Sequence, residues 1–162
     1  MRWIARGALV VYLGLMYDLT LIRFQANNPG FNLIPLRTII HDFRNGGTEL
    51  LVNTVGNVAA FVPFGILVAV GFGAWVRSAR RVALASFGLS LMIELAQARS
   101  GRRVADVDDL ILNTLGGLVG YGLLRAWDRL RVKMRSGSGN RSVRSRSVRP
   151  PMGTGEASPE SS

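Results

Sequence analysis

The side chains in this chain that could do chemistry are carboxylates, amides and one arginine, set at helical spacing. Asp106, Asp109 and Asn113 are three and four residues apart, so they share one face if they lie in a helix. An arginine such as Arg103 binds a phosphate or carboxylate through paired hydrogen bonds. The candidate ligand-binding residues are Asn57, Glu94, Gln97, Arg103, Asp106, Asp109 and Asn113.

Glu94 is the candidate catalytic residue because it lies inside an apolar run, residues 89–96. A carboxyl group in such a place could act as a general acid or base. It could also form a purely structural ion pair with Arg102 or Arg103, because a charge inside a membrane requires a partner. Both interpretations remain open from the sequence.

Metal and cofactor chemistry has little support. The chain has no cysteine and a single histidine, so thiolate and histidine-rich metal sites are excluded. Asp106 and Asp109 offer oxygen ligands to a divalent cation, but we find no phosphate-binding loop and no nucleophile motif. We therefore expect no metal and no cofactor.

Several of the polar residues also have structural interpretations. Asp108 or Asp109 could cap the fourth predicted helix, and Asn53 could cap the second. Asn57 and Asn113 could join helices by hydrogen bonds within the membrane.

Four apolar blocks must position these residues. Each is close to the ~20 residues that cross a bilayer, and they lie at about 3–22, 51–75, 82–98 and 110–127. Hydrophobic residues make up 48% of the chain, and its mean hydropathy is +0.24. The fold class is therefore all-α, a polytopic bundle of four transmembrane helices. A cleaved signal peptide is the alternative for the first block, but no small-residue cleavage site follows it.

The segments between the blocks differ in character. Residues 24–50 contain prolines and glycines and predict a loop with a short interfacial helix near 36–43. The link at 76–81 is short and predicts an antiparallel hairpin. Residues 131–162 are rich in Arg, Ser, Gly and Pro, which predicts a disordered tail after a transmembrane domain at 1–130.

Charge predicts the orientation of the bundle. The chain carries 20 Lys and Arg residues against 10 Asp and Glu, and most basic residues fall on the side of the two termini. Positive segments stay in the cytoplasm, so both termini should be cytoplasmic and the polar cluster should face outside. The basic residues flank apolar blocks, so we expect membrane lipids as partners and no nucleic acid.

Small residues and one proline mark helix contacts. Gly116 and Gly120 are four apart and permit close approach of another helix; packing within the chain is favoured over homodimerisation. Pro63 lies inside the second block and should free a backbone carbonyl near Ala59.

Three stretches together resemble the VanZ-like family, which is named for a teicoplanin-resistance protein. They are Asn32-Leu-Ile-Pro-Leu-Arg-Thr-Ile39, Asn57-Val-Ala-Ala-Phe-Val-Pro-Phe-Gly65, and the run from Ser90 through Glu94, Gln97, Arg103, Asp106, Asp109 and Asn113 to Gly120. The resemblance implies a small multipass protein of the bacterial cytoplasmic membrane and cell envelope. It also implies a link to resistance against teicoplanin, a glycopeptide antibiotic.

Three functions compete. The leading hypothesis is a non-enzymatic envelope protein whose outer polar site binds a lipid headgroup, a lipid-linked cell-wall precursor or the antibiotic, with oligomerisation left open. The alternative is a membrane-embedded enzyme that acts on a lipid-linked or cell-wall substrate with Glu94 as acid or base. A transporter is the third, disfavoured because the charges lie at one membrane face and not at mid-depth.

Overall fold

The structure is a computed structural model that describes residues 2–19, 30–73, 76, 78–100 and 104–146. It is almost wholly helical, as the sequence predicts, with one pair of short strands. The elements in order are α1 (Arg2–Tyr17), β1 (Gly30–Asn32), α2 (Arg37–Asn45), α3 (Gly47–Glu49), a π-helical segment (Leu50–Val55), α4 (Gly56–Gly71), α5 (Ala79–Ser100), β2 (Val104–Asp106) and α6 (Val107–Arg146).

Within the described residues, three helical stretches are long and apolar enough to cross a membrane: Leu50–Gly71, Ala79–Arg99 and Val107–Arg135. Large apolar side chains on these helices point away from the protein, including Leu84, Met92 and Leu123. Such an exposed apolar surface is costly in water and expected in lipid. The chain is therefore a multipass membrane protein.

The first predicted span corresponds to α1, which packs antiparallel on α4. The Arg6 Nε donates to the Gly71 carbonyl at 3.1 Å near one end, and the Tyr12 hydroxyl donates to the Ala60 carbonyl further along. Ala60 lies three residues before Pro63, where the proline disturbs the helical hydrogen bonds. The tyrosine therefore satisfies a carbonyl one residue from the predicted one. The predicted end of this helix, near residue 22, lies outside the described residues.

Glycines set the contact between α6 and α4. A Cβ atom at Gly116 would lie 2.3 Å from the Val58 carbonyl oxygen, and one at Gly120 would lie 2.1 Å from the Val62 carbonyl oxygen. Both separations are far inside van der Waals contact, so only glycine permits this approach. The glycine pair thus packs within the chain, as the favoured sequence interpretation has it.

The predicted helix ends differ most in α6. The sequence predicted an end near Trp127 and a disordered tail from 131, whereas the structure continues one helix to Arg146. Residues 129–134 are mostly good helix formers. The Arg131 guanidinium carbon lies 4.9 Å from the centroid of the Trp127 ring, a cation–π contact one turn along the helix. One compact unit extends through Arg125 and a second begins at Ala126. Residues 147–162 lie outside the described residues.

Candidate functional site

A parallel strand pair joins the two loop segments at one end of the helices. Its register places Asn32 of β1 opposite Asp106 of β2. The Asn32 Nδ2 lies 3.2 and 3.1 Å from the two Asp106 carboxylate oxygens. The sequence predicted only loops here, because strands of three residues are too short to show a periodic pattern. We call this end of the bundle the polar end; it is marked by Asn57, Glu94 and Asp109.

Asp106 connects three elements. Its Oδ1 accepts the backbone N–H of Asp108 at 2.9 Å, which makes Asp106 the N-cap of α6. Its Oδ2 accepts the Thr38 hydroxyl at 2.5 Å. Together with the Asn32 amide, these bonds hold β1, the start of α2 and the start of α6 against one another.

Asp108 caps a different helix. The N-cap residue of α2 is Leu36, which has no polar side chain and a left-handed backbone, φ 65°. The Asp108 carboxylate replaces the missing cap: Oδ1 accepts Leu36 N–H at 2.5 Å, and Oδ2 accepts the N–H groups of Thr38 and Ile39 at 2.8 and 3.2 Å. The side chain is completely buried. The interpretation that Asp108 caps its own helix is therefore wrong; Asp106 does so.

Glu94 and Gln97 lie on one face of α5 and are buried, with 5% and 2% of their surface exposed. The Glu94 Oε2 accepts the backbone N–H of Asp106 at 2.9 Å. A charge-assisted hydrogen bond of this kind offsets part of the cost of burying a carboxylate. It also fixes the start of α6 relative to α5. The proposed ion pair with Arg102 or Arg103 falls outside the described residues.

The two asparagines join helices. The Asn57 Nδ2 donates to Asp109 Oδ1 at 2.5 Å, which links α4 to α6. The Asn113 Nδ2 donates to the Ser90 hydroxyl at 2.8 Å, which links α6 to α5. Both asparagines thus form hydrogen bonds between helices, as one interpretation of the sequence predicts. Asn113 is 5% exposed, and among the residues that the structure describes no donor reaches its Oδ1.

A carboxylate that sequence reasoning missed lies on the buried face of α2. Asp42 is 1% exposed and accepts the Thr54 hydroxyl at 3.2 Å, while the His41 Nδ1 lies 3.7 Å from its other oxygen. Thr54 belongs to the π-helical segment before α4. The available signal was Asp42 itself, a charged residue about a third of a turn from Leu36, Ile40 and Phe43.

In the part of the chain that is described, the polar end is a network of hydrogen bonds. Across residues 2–19, 30–73, 76, 78–100 and 104–146, no group of three or more Asp, Glu or His side chains is arranged to hold a metal ion. The oxygens of Asp106 and Asp109, which the sequence offers as ligands for a divalent cation, accept hydrogen bonds from Asn32, Thr38 and Asn57. Of the seven candidate ligand-binding residues, only Arg103 is outside the described residues.

Comparison with known proteins gives one match. A family model described as VanZ/LLP1 matches residues 9–128. That range begins within α1, ends within α6 and includes all the residues of the polar end described above. No curated protein matches the chain, and no solved structure matches it.

Proposed function

The chain belongs to the VanZ/LLP1 family, and we propose that it contributes to glycopeptide (teicoplanin) resistance by binding an envelope ligand at its polar end. The ligand would be a lipid headgroup, a lipid-linked cell-wall precursor or the antibiotic itself. These share hydroxyl or amide groups, which donate hydrogen bonds to carboxylate and amide oxygens.

The observation that carries this proposal is the buried Oδ1 of Asn113, which no described donor reaches. A buried acceptor left without a donor costs about 1–3 kcal/mol, so a ligand hydroxyl or amide that supplies the donor binds with that advantage. Glu94 and Gln97 lie on the facing helix, and both are buried. Arg103, which follows α5 in the sequence, would supply a positive charge for a phosphate or carboxylate.

The proposed topology places this site where such ligands occur. We propose four spans in the bacterial cytoplasmic membrane with both termini in the cytoplasm, which puts the polar end outside. Helix α1 packs antiparallel on α4 through the hydrogen bonds Arg6–Gly71 and Tyr12–Ala60. This contact supports α1 as a further span beside the three apolar helices. The distribution of Lys and Arg supports the orientation.

The topology is testable because the chain has no native cysteine. A membrane-impermeant maleimide applied to intact cells should label Thr48→Cys, an exposed residue near the polar end. It should label Ser162→Cys only after the cells are opened. The reverse pattern would contradict the orientation, and labelling of both positions in intact cells would contradict three spans between residues 48 and 162.

The resistance role is tested in a strain that lacks the chain, complemented with wild type, Asn113→Ala or the control Asn45→Ala. Asn45 is exposed on α2, where its Nδ2 lies 2.9 Å from the His41 Nε2. We expect deletion to increase teicoplanin susceptibility and Asn45→Ala to restore resistance. Asn113→Ala should fail to restore it, because the loss of one buried hydrogen bond of about 1.4 kcal/mol weakens binding about tenfold.

Membrane abundance and melting temperature must accompany these measurements, since Asn113 also bonds to Ser90. Unchanged teicoplanin susceptibility on deletion would remove the resistance role. Full restoration by Asn113→Ala would remove the site. Failure of Asn113→Ala with wild-type abundance and melting temperature would support a ligand contact over a structural role.

The enzyme alternative rests on the burial of Glu94, which lies in an apolar run of the sequence at 89–96. Glu94→Gln distinguishes it from binding, because glutamine keeps an oxygen for the Asp106 N–H but cannot transfer a proton. Partial resistance in a stable Glu94→Gln protein favours binding. Complete loss in a protein of wild-type abundance and melting temperature, together with turnover of a lipid-linked precursor by purified wild type, favours the enzyme.

A further inference from the structure

Helix α2 buries a charged residue and exposes a set of apolar ones. Its charged Asp42 is 1% exposed, while Leu36, Ile40 and Phe43 are 49%, 47% and 66% exposed. These three apolar residues are four and three apart, so they form one continuous stripe along the helix. A stripe of this kind turned away from the protein requires an apolar environment outside it.

The apolar surface continues beyond the helix on both sides. Leu33 and Ile34, which precede α2, are 74% and 58% exposed. On the other side α2 contacts the π-helical segment, where Leu51 and Val52 are exposed at the start of the Leu50–Gly71 span. The stripe therefore adjoins the surface by which this span meets lipid.

A second stripe, beside the apolar one, is basic. Arg37, His41 and Arg44 are four and three residues apart, and all are exposed. At 100° per residue this stripe lies about a quarter turn from Leu36, Ile40 and Phe43. Apolar and basic stripes side by side are typical of helices that lie in a membrane interface, where the basic groups meet lipid phosphates.

We propose that α2 and residues 33–36 form a membrane-interface anchor whose occupant is the lipid leaflet at the polar end. Leu33, Leu36, Ile40 and Phe43 insert at the boundary between headgroups and acyl chains. The arginines lie at the level of the headgroups and favour anionic lipids. The inference goes beyond the proposed function, since it requires no ligand at the polar end.

Two buried carboxylates hold the anchor in position. Asp108 fixes the start of the helix by accepting the N–H groups of Leu36, Thr38 and Ile39. Asp42 holds its buried face against the π-helical segment by accepting the Thr54 hydroxyl. A helix of nine residues is too short to be stable alone. These contacts supply the order that it needs before it meets lipid.

The experiment uses the full chain, with Phe43→Cys or the control Asn45→Cys labelled with an environment-sensitive fluorophore in phosphatidylcholine–phosphatidylglycerol vesicles. Asn45 is exposed and lies on roughly the opposite side of α2 from Phe43. We expect spin-labelled lipids to quench the label at 43 and aqueous iodide to spare it. The label at 45 should show the converse.

Two results would overturn the anchor. Equal quenching of both labels by iodide would place the apolar stripe in water. A label at 43 that is shielded from both lipid spin labels and iodide, with self-quenching that increases with protein density, would make the occupant a second copy of the chain.

The lipid charge is tested with the same label at 43. Replacing phosphatidylglycerol by phosphatidylcholine should weaken its quenching by lipid in the otherwise wild-type chain and leave it unchanged in Arg37→Gln/Arg44→Gln. Quenching that does not depend on lipid charge in the unsubstituted background would overturn the assignment of the basic stripe to anionic headgroups.

Discussion

Removing the Asp108 carboxylate should release α2 while the transmembrane helices stay folded. In Asp108→Ala the backbone N–H groups of Leu36, Thr38 and Ile39 lose their acceptor. No side chain of α2 can replace it, because its N-cap residue is a leucine. The negative charge that meets the positive end of the α2 dipole is lost as well.

The size of the effect follows from these bonds. A hydrogen bond to a charged group contributes about 1.5–3 kcal/mol, but a partly exposed N–H regains water when the carboxylate leaves. Leu36 is 49% exposed, so we discount its bond most. A net loss of about 3 kcal/mol increases the population of opened α2 roughly a hundredfold. Asp108→Asn keeps one acceptor oxygen and should lose about half of that free energy.

Amide hydrogen exchange in detergent measures this opening directly. Peptides from 36–45 should exchange about a hundredfold faster in Asp108→Ala and about tenfold faster in Asp108→Asn. Peptides from α4 and α5 should keep their wild-type rates. Asp128→Ala is the matched control, since it removes an exposed carboxylate from the same helix, α6.

Exchange of residues 36–45 at the wild-type rate in Asp108→Ala would refute the capping of α2 by Asp108. Acceleration of exchange in α4 and α5 by the same factor would show that Asp108 supports the whole bundle and not α2 in particular.

Two further changes test the helix contacts by thermal unfolding in detergent. Gly120→Ala should destabilise the protein by about 1–3 kcal/mol, because its Cβ would lie 2.1 Å from the Val62 carbonyl oxygen, whereas Gly122→Ala meets nothing within 4 Å and should be neutral or stabilising. Equal losses in the two variants would contradict the close approach. Tyr12→Phe should cost about 1 kcal/mol through the lost hydrogen bond to the Ala60 carbonyl; a melting temperature equal to wild type would show that the bond contributes nothing.

Much of the fold follows from hydropathy. Apolar blocks of span length predicted the three helices at Leu50–Gly71, Ala79–Arg99 and Val107–Arg135. Most of the helix ends lie within a few residues of the predicted ones. The fourth span and the side of the membrane stay predictions. The structure continues α6 beyond the end predicted near Trp127, because basic helix formers follow the apolar residues.

The sequence likewise predicted part of the candidate site, and the tertiary structure supplied the rest. Helical spacing identified Glu94, Gln97, Asp109 and Asn113 as polar residues that are costly in a membrane, and the structure buries all four. Spacing within one helix gives the shared face of its residues. It does not give the partner on another element, so the pairs Asn57–Asp109 and Asn113–Ser90 required the tertiary structure.

The sequence by itself thus determined a membrane protein of apolar helices with its carboxylates and amides gathered towards one end. The tertiary structure decided what those groups do. Asp106 caps α6, and Asp108 caps α2 from 70 residues away, through its bond to Thr38. Hydrophobic periodicity predicts which face of a helix is buried. It does not predict a hydrogen bond between distant residues, because that bond requires a donor and an acceptor within about 3 Å of each other. Only the packed chain brings residues so distant in sequence to that separation.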